Sequence, residues 1–525
     1  MSAIFCNGAI HCMDERGSTV EAILEEQGTI VASGTTEEMR RLARPGTREI
    51  DLQGMTVIPG LTDSHTHFVE FALGLSRADL SRAKSLKEAL SLVETEARAV
   101  PRGGWVLGGG FNKNLWAGGR FPSRHDLDAV CADKPVVIKS GDCHTLWVNT
   151  LAMTIAGITR DTPVPEGGRI DLGPDGHPTG IIGESAIPLI EQHVPMPTER
   201  EIDDAVVRAQ ALAHSVGVTG VHVMEGAGSL RSFQRLQSRG DLSLRVCIYL
   251  PLEALEHARD LGTESGFGNE FVKVGGVKLF ADGSLNSQTA HMLEPYEGTE
   301  SRGISRISME QLDEVVGGAV ASGISVAVHA IGDAANRNCL NVLAKHAATS
   351  RAKGLRNRIE HAQLLHPDDI RRFAVTRTIA SVQPVHATSD RYLADRLWGA
   401  RARYAYPFRS LAAGGARVTF GSDAPVETIN PMRGLFAAVT RKREDEPSSA
   451  PWYPEECVTL EQAVRAYTNG PAYAACAERR QGSLEPGKAA DFVVLSEDIF
   501  RGPPETLLGC RVMMSVVGGR VVYES

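Results

Sequence analysis

The sequence predicts an α/β protein built on a (β/α)8 TIM-type barrel, with β-rich ends and a long insertion after barrel strand 1. Three observations carry this. Apolar runs alternate with amphipathic segments eight times through the middle of the chain. Short strand-like runs stand at both ends. One gap, Phe68 to Gly217, breaks the alternation.

The expected core strands are Thr56–Ile58 leading to His65, Val218–Val223, Leu244–Leu250, Gly275–Phe280, Ile324–Ala330, Arg358–His361, Ile379–Gln383 and Val418–Gly421. Most are separated by room for a helix, as in Ser308–Ala321, Ala334–Ala348 and Pro367–Val375. At the start, Ala3–Ile10, Ser18–Glu25 and Thr29–Ser33 read as a meander. At the end, Phe492–Leu495, Arg511–Val517 and Arg520–Tyr523 do the same, with Gly518-Gly519 as a tight turn. Pattern alone leaves two options for these ends: one shared β-domain or two separate caps. The gap holds a helical stretch (Ser85–Ala99), an extended run (Lys134–Lys139) and a Pro/Gly-rich loop (Thr162–Gly180). Inserted at the C-terminal end of a barrel strand, it would cover the site and shape specificity. Trp105, Trp116 and Trp147 fall in it and either serve that purpose or form the insertion's own small core.

The chain has 525 residues, 42% hydrophobic and 23% charged, which fits a soluble globular protein of more than one domain. A net charge of -9 argues against a general nucleic-acid or anionic-membrane binder. The nine cysteines are scattered with no C-x-x-C pair, the pattern of reduced thiols in a cytoplasmic protein. Met1–Cys12 lacks the charged and long apolar regions of a secretory leader. Val315–Gly332 has no charged residue unless His329 is protonated, and its length permits a membrane span. Glycines and Ser322 instead divide it into a helix end, a turn and a strand, so no span is expected.

Candidate ligands gather at strand ends. His65 and His67 follow the first strand, and alternation puts residues i and i+2 on one face. Lys278 lies inside the apolar fourth strand, an unusual place for a lysine unless it is paired or modified. His329, His361 and Asp423 end strands five, six and eight. Barrel enzymes place their catalytic groups at this end. Neutral imidazole and carboxylate suit zinc and other first-row divalent ions. Such a metal brings the pKa of water toward neutrality and polarises a carbonyl. Asp423 is the candidate catalytic group: it would take the water's proton and pass it to the leaving amine, and it is also a candidate ligand.

These residues resemble the metal signature of the amidohydrolase superfamily. Val57–His67 and Gly482–Leu495 are similar to its opening and closing motifs. Gly104–Phe111, Leu127-Asp128, His144–Asn149, Val277–Ser284 and Ser381–Pro384 resemble its YtcJ-like branch, which includes N-substituted formamide deformylases. The resemblance runs over nearly the whole chain. It implies a distorted barrel at 59–474, a composite β-sandwich from 1–58 and 475–525, and an inserted α/β subdomain at about 70–205. It implies one or two divalent metals, zinc foremost, on His65, His67, Lys278, His329, His361 and Asp423, with Lys278 either carboxylated by CO2 or a cation near the site. His144, Glu184, Asp282 and Gln383 become candidate substrate-binding residues. Asp333 is expected to orient His329, and Glu360, by alternation, to point away from His361 in a structural role.

The implied reaction is cleavage of a C–N bond in a small linear amide, such as an N-substituted formamide or N-acyl compound. A deaminase, or an ester, carbamate or lactone hydrolase, would fit the same site. A non-catalytic scaffold would be expected to have lost ligands, and here every ligand position is filled. A small-molecule substrate and a homodimer are expected, with no nucleic-acid or membrane partner.

Overall fold

Eight parallel strands lie side by side in chain order: β1 (Leu61–Thr66), β2 (Val218–Val223), β3 (Arg245–Pro251), β4 (Val272–Phe280), β5 (Val326–Ala330), β6 (Arg358–His361), β7 (Ile379–Val382) and β8 (Arg417–Phe420). This computed structural model describes residues 2–113, 116, 121–141 and 145–525. The strands read as unbroken apolar runs because a parallel strand is covered on both faces. Every residue of β2 and of β7 is buried.

β1 and β8 meet through a bridge between Thr66 and Ala424. Beside it the Asp423 N–H donates to the His65 carbonyl at 2.8 Å, and the His67 N–H to the Ala424 carbonyl at 2.8 Å. Asp63 knits the seam from within. One of its oxygens accepts the Ser422 N–H at 2.9 Å and the His65 N–H at 3.2 Å. Burial pushes the Asp63 carboxyl up to about 7.

The first barrel strand differs from expectation. Thr56–Pro59 belongs to another sheet, antiparallel to Phe492–Leu495 and parallel to Ala9–His11. The chain passes into the barrel at Gly60, where a Cβ would lie 2.2 Å from Thr219 Oγ1. The apolar run crosses from one sheet to the next without a polar break, so hydrophobicity cannot mark the crossing.

Strands from both ends of the chain thus share one six-stranded sheet, in the order Arg520–Glu524, Val512–Val517, Phe492–Leu495, Thr56–Pro59, Ala9–His11, Thr19–Val20. A four-stranded sheet (Thr29–Gly34, Ala22–Glu26, Ser2–Cys6, Arg48–Asp51) contributes Phe5 and Ile23 to the same apolar core as Val57, Phe492 and Val516. The Phe5 and Phe492 rings meet edge to face at 4.7 Å.

Helices cover the barrel. α1 (Met309–Ala321) starts from a Ser308–Gln311 capping box, and α2 (Asp333–Lys345) follows β5. Between α1 and β5 the chain turns at Gly323, whose φ of +76° lies in the left-handed region. The uncharged Val315–Gly332 stretch is therefore helix, turn and strand. Among the described residues no helix is long and apolar enough to cross a membrane.

The chain divides into two units, Met1–Val69 with Val206–Ser525, and Glu70–Ala205. The second unit has its own six-stranded sheet, in the order Gly168–Leu172, Pro178–Glu184, Thr145–Val148, Val136–Ser140, Val106–Phe111, Ala78–Asp79. Its tryptophans make its core. Trp147 and Trp116 are buried with their rings 6.1 Å apart, and Trp105 packs on an adjoining cluster. Every cysteine among the described residues is free.

Candidate metal centre

Three imidazoles at the strand ends, those of His65, His361 and His329, are each oriented through one nitrogen. His65 is fully buried, and its Nδ1 lies 2.6 Å from Glu360 Oε2. Its Nε2 is thereby turned inward, 3.3 Å from Asp423 Oδ1 and 3.5 Å from Lys278 Nζ. His361 Nδ1 lies 2.9 Å from Gln383 Oε1. His329 Nε2 donates to the Gly283 carbonyl at 2.9 Å, which leaves Nδ1 free. The His361 ring lies 4.8 Å from His65 and 4.6 Å from His329, centroid to centroid. His67 is partly exposed, with Nε2 at 3.5 Å from Asp423 Oδ1. The tightest group is His65, His361 and Asp423, whose donor atoms all lie within 4.8 Å of one another.

The backbone is held in unfavourable conformations here. His361, Ala362 and Asp423 have φ of +72°, +42° and +61°. Non-glycine residues in this region persist where surrounding contacts fix them, and they cluster at functional sites.

The electrostatics keep the donors in ligand form. Burial, aided by the Lys278 ammonium, holds His65 well below the usual imidazole range. Burial and the neighbouring His329 do the same for His361. Burial with Lys278 lowers His329 to about 3 and His67 to about 4. Burial lowers Lys278 itself to about 8, against the pull of Glu360 and Asp423. It raises Asp423 to about 6, while His386 and Lys278 oppose that rise.

Several residues take tasks the sequence did not suggest. Glu360 does not point away from the site: it accepts from His65 on one side and pairs with buried Arg358 on the other. The positive φ of His361 breaks the strand alternation, so both neighbours face the interior. Asp333 does not orient His329. It accepts the Leu293 N–H at 2.8 Å, and the Gly283 carbonyl orients His329 instead. Asp282 is fully buried and accepts the N–H groups of His291, Ile331 and Gly332 at 2.8–3.0 Å. With both oxygens committed to backbone it braces the loops after β4 and β5 and does not present itself to substrate. Gln383 is buried against His361. Glu184 ends a strand of the second unit, opposite Gly168, and is exposed. His144 lies outside the described residues.

One residue of the centre was missed. His386 lies in α3 (Pro384–Ser389), with Nε2 at 3.8 Å from Asp423 Oδ2 and its ring stacked on His361 at 6.2 Å and 12°. Its only signal was its position three residues after Gln383.

A cavity of about 630 Å³ opens beside Lys278 at the ends of β2, β3 and β4. Leu252, Phe280 and Val315 line it, with Arg306, Glu253 and Glu314 among its charged groups. Phe280 is 45% exposed, a large apolar face left open next to Lys278 and His329.

The donor set fits a divalent metal. Neutral imidazoles, three of them with the second nitrogen engaged by an acceptor, surround one carboxylate, as first-row metals require. A parallel barrel carrying such a cluster at its strand ends defines a metal-dependent hydrolase. The sequence matches the amidohydrolase family over residues 48–523, and the chain belongs to that family. It is 33% identical to YtcJ of Bacillus subtilis (strain 168), whose name places it among the amidohydrolases, over 100% of both chains. It is 28% identical to the N-substituted formamide deformylase of Arthrobacter pascens, over 99% of this chain and 97% of that one. An uncharacterized metal-dependent hydrolase from Pyrococcus horikoshii superposes with a TM-score of 0.81 at 28% identity, over 96% of this chain and 99% of that one.

Proposed function

We propose that the protein hydrolyses a C–N bond of a small linear amide, such as an N-substituted formamide or an N-acyl compound. The observation that carries this is the placement of Asp423, with one oxygen 3.3 and 3.5 Å from the inward nitrogens of His65 and His67 and the other facing His386. The whole-length likeness to an N-substituted formamide deformylase supports the linear amide. His65, His67, His329, His361 and Asp423 would hold the metal, and zinc suits that donor set. When bound, the metal supplies Lewis acidity that activates water and polarises the carbonyl. Asp423 accepts the water's proton and returns it to the leaving nitrogen. Release of amine from linear amides, with cyclic imides, lactones and aryl esters as comparison, tests the reading. Turnover confined to the cyclic or ester substrates would replace it.

Lys278 joins the ligands in this reading as a carbamate. Its neutral amine forms an N–C bond to CO2 and releases a proton, and the resulting anion offers oxygen donors where the lysine itself has none. The support is its buried place 3.5 Å from His65 Nε2. Metal content by ICP-MS is expected to be about two equivalents per chain, falling by at least half in Lys278→Ala through loss of a ligand. About one equivalent in both proteins would remove Lys278 from the ligand set.

The cavity beside Lys278 would receive the part of the substrate beyond the scissile bond. Leu252→Trp is expected to raise KM for bulky N-substituted amides by about tenfold or more. KM for unsubstituted formamide and the metal content should stay unchanged. Equal effects on both substrates would place the substituent elsewhere.

A further inference from the structure

We infer that His386 and Gln383 form a two-donor clamp for the carbonyl oxygen of the bound amide, on the Oδ2 side of Asp423. The inference rests on the amide-hydrolase reading above and specifies which groups of this chain stabilise the charge that reaction creates.

Around the site, His65, His361 and His329 each have one ring nitrogen pinned by an acceptor. His386 differs. It is 7% exposed, yet among the described residues neither of its ring nitrogens has a hydrogen-bond partner. The carboxylate oxygen facing it, Asp423 Oδ2, stands beyond hydrogen-bond reach at 3.8 Å. Its ring plane is nevertheless fixed by the parallel stack on His361.

Gln383 shows the same imbalance in one half of its amide. Its Oε1 faces His361 Nδ1, which settles the orientation of the group. The opposite end, Nε2, is buried and unpaired. The two residues lie within one turn of each other, at the end of β7 and in α3, and both pack on His361. Burying a polar group without a partner is costly, because its lost hydration is not replaced. Two such groups against one histidine, in a site where three other imidazoles are pinned, point to a ligand that pairs them.

The chemistry selects the ligand. The Gln383 NH2 only donates, and His386 donates through whichever nitrogen carries its hydrogen. A single partner that meets a donor of each is therefore an acceptor oxygen. As the water oxygen bonds to the carbonyl carbon, the C=O π pair moves onto the carbonyl oxygen and Asp423 takes the water's proton. The two donors meet the negative charge as it develops. When the pair returns, the C–N bond breaks and the nitrogen takes the proton from Asp423. Preorganised donors of this kind act on the transition state more than on the bound substrate.

Two variants test this in the metal-loaded protein. His386→Phe keeps a flat ring against His361 without donors. Gln383→Glu keeps an acceptor for His361 and replaces the NH2 with an oxygen. With a linear amide that the wild type turns over, each is expected to lower kcat by about 10²–10³-fold with KM little changed. Metal content by ICP-MS should remain that of the wild type. Calorimetric binding of methylphosphonate, a tetrahedral anion, should weaken about tenfold or more in each variant, as expected for loss of a charge-assisted hydrogen bond. Unchanged kcat and methylphosphonate affinity would overturn the clamp. Loss of metal in His386→Phe would overturn it too, by making His386 a ligand. Should His386→Phe fail to fold, Gln383→Glu decides alone. Absence of linear-amide turnover in the wild type, with methylphosphonate binding weakened as expected, would overturn the amide reading and leave the donors as an anion clamp. Absence of both would overturn the two together.

Discussion

Replacing Arg358 with leucine is expected to destabilise the protein by about 3–5 kcal/mol, the usual cost of breaking a buried ion pair from one side. Arg358 and Glu360 are both fully buried. The guanidinium reaches His222 Nδ1 at 2.9 Å, the Ser64 carbonyl at 2.6 Å, Tyr249 Oη at 3.3 Å and Ser381, as well as Glu360. Burial acts most strongly against its charge, but Glu360 and Tyr249 together outweigh burial and keep its pKa above the ordinary arginine value. Leucine would leave the Glu360 carboxylate uncompensated in the barrel interior. Adding Glu360→Gln should recover part of the loss, because the orphaned charge is then gone. The midpoint of denaturant unfolding of the metal-free protein measures both. A loss below about 1 kcal/mol in the single variant would show that the pair is not the strut its burial suggests. Glu360→Gln alone should also weaken metal binding by about 10–100-fold, because Glu360 fixes the tautomer and aim of His65.

Asp423→Asn is expected to lower turnover of a linear amide by about 10²–10⁴-fold, the range for losing a general acid–base group. The amide has nearly the same shape but cannot accept the water's proton. Metal content separates its two tasks. Retention of metal with lost turnover would assign Asp423 to proton transfer, and loss of both would make it a ligand first. Turnover within threefold of the wild type would remove it from the chemistry.

Much of this centre was legible in the sequence because ligand chemistry and strand ends coincide. His65, His67, His329, His361 and Asp423 stand at or just past the ends of apolar runs, with Lys278 inside one, and a run followed by a polar imidazole is visible without a structure. The residues that orient them were harder to read. Glu360 was assigned by alternation, which fails where the backbone of His361 leaves the β region. Asp333 and Asp282 both meet backbone N–H groups in place of the partners expected of them, because turns, not strand periodicity, decide which carboxylate meets which N–H. His386 sits in a short helix past β7, where the period-2 signal has ended and a lone histidine resembles any other. The start of β1 was misplaced because Thr56–Leu61 stays apolar through a change of sheet.

The seam between β1 and β8 sets the order in which this protein can be assembled. Asp63 and Ser422, joined across it, are 359 residues apart in the chain. Until the ribosome has released the last strand, His65 and His67 have no Asp423 to face, and the nascent chain holds only fragments of the site. Closing so long a loop is slow, and its entropy must be met before the contacts that repay it exist. Tight ion capture therefore belongs to the final stage of maturation. In a refolding experiment it would act as a clock for ring closure, lagging behind the appearance of helical signal.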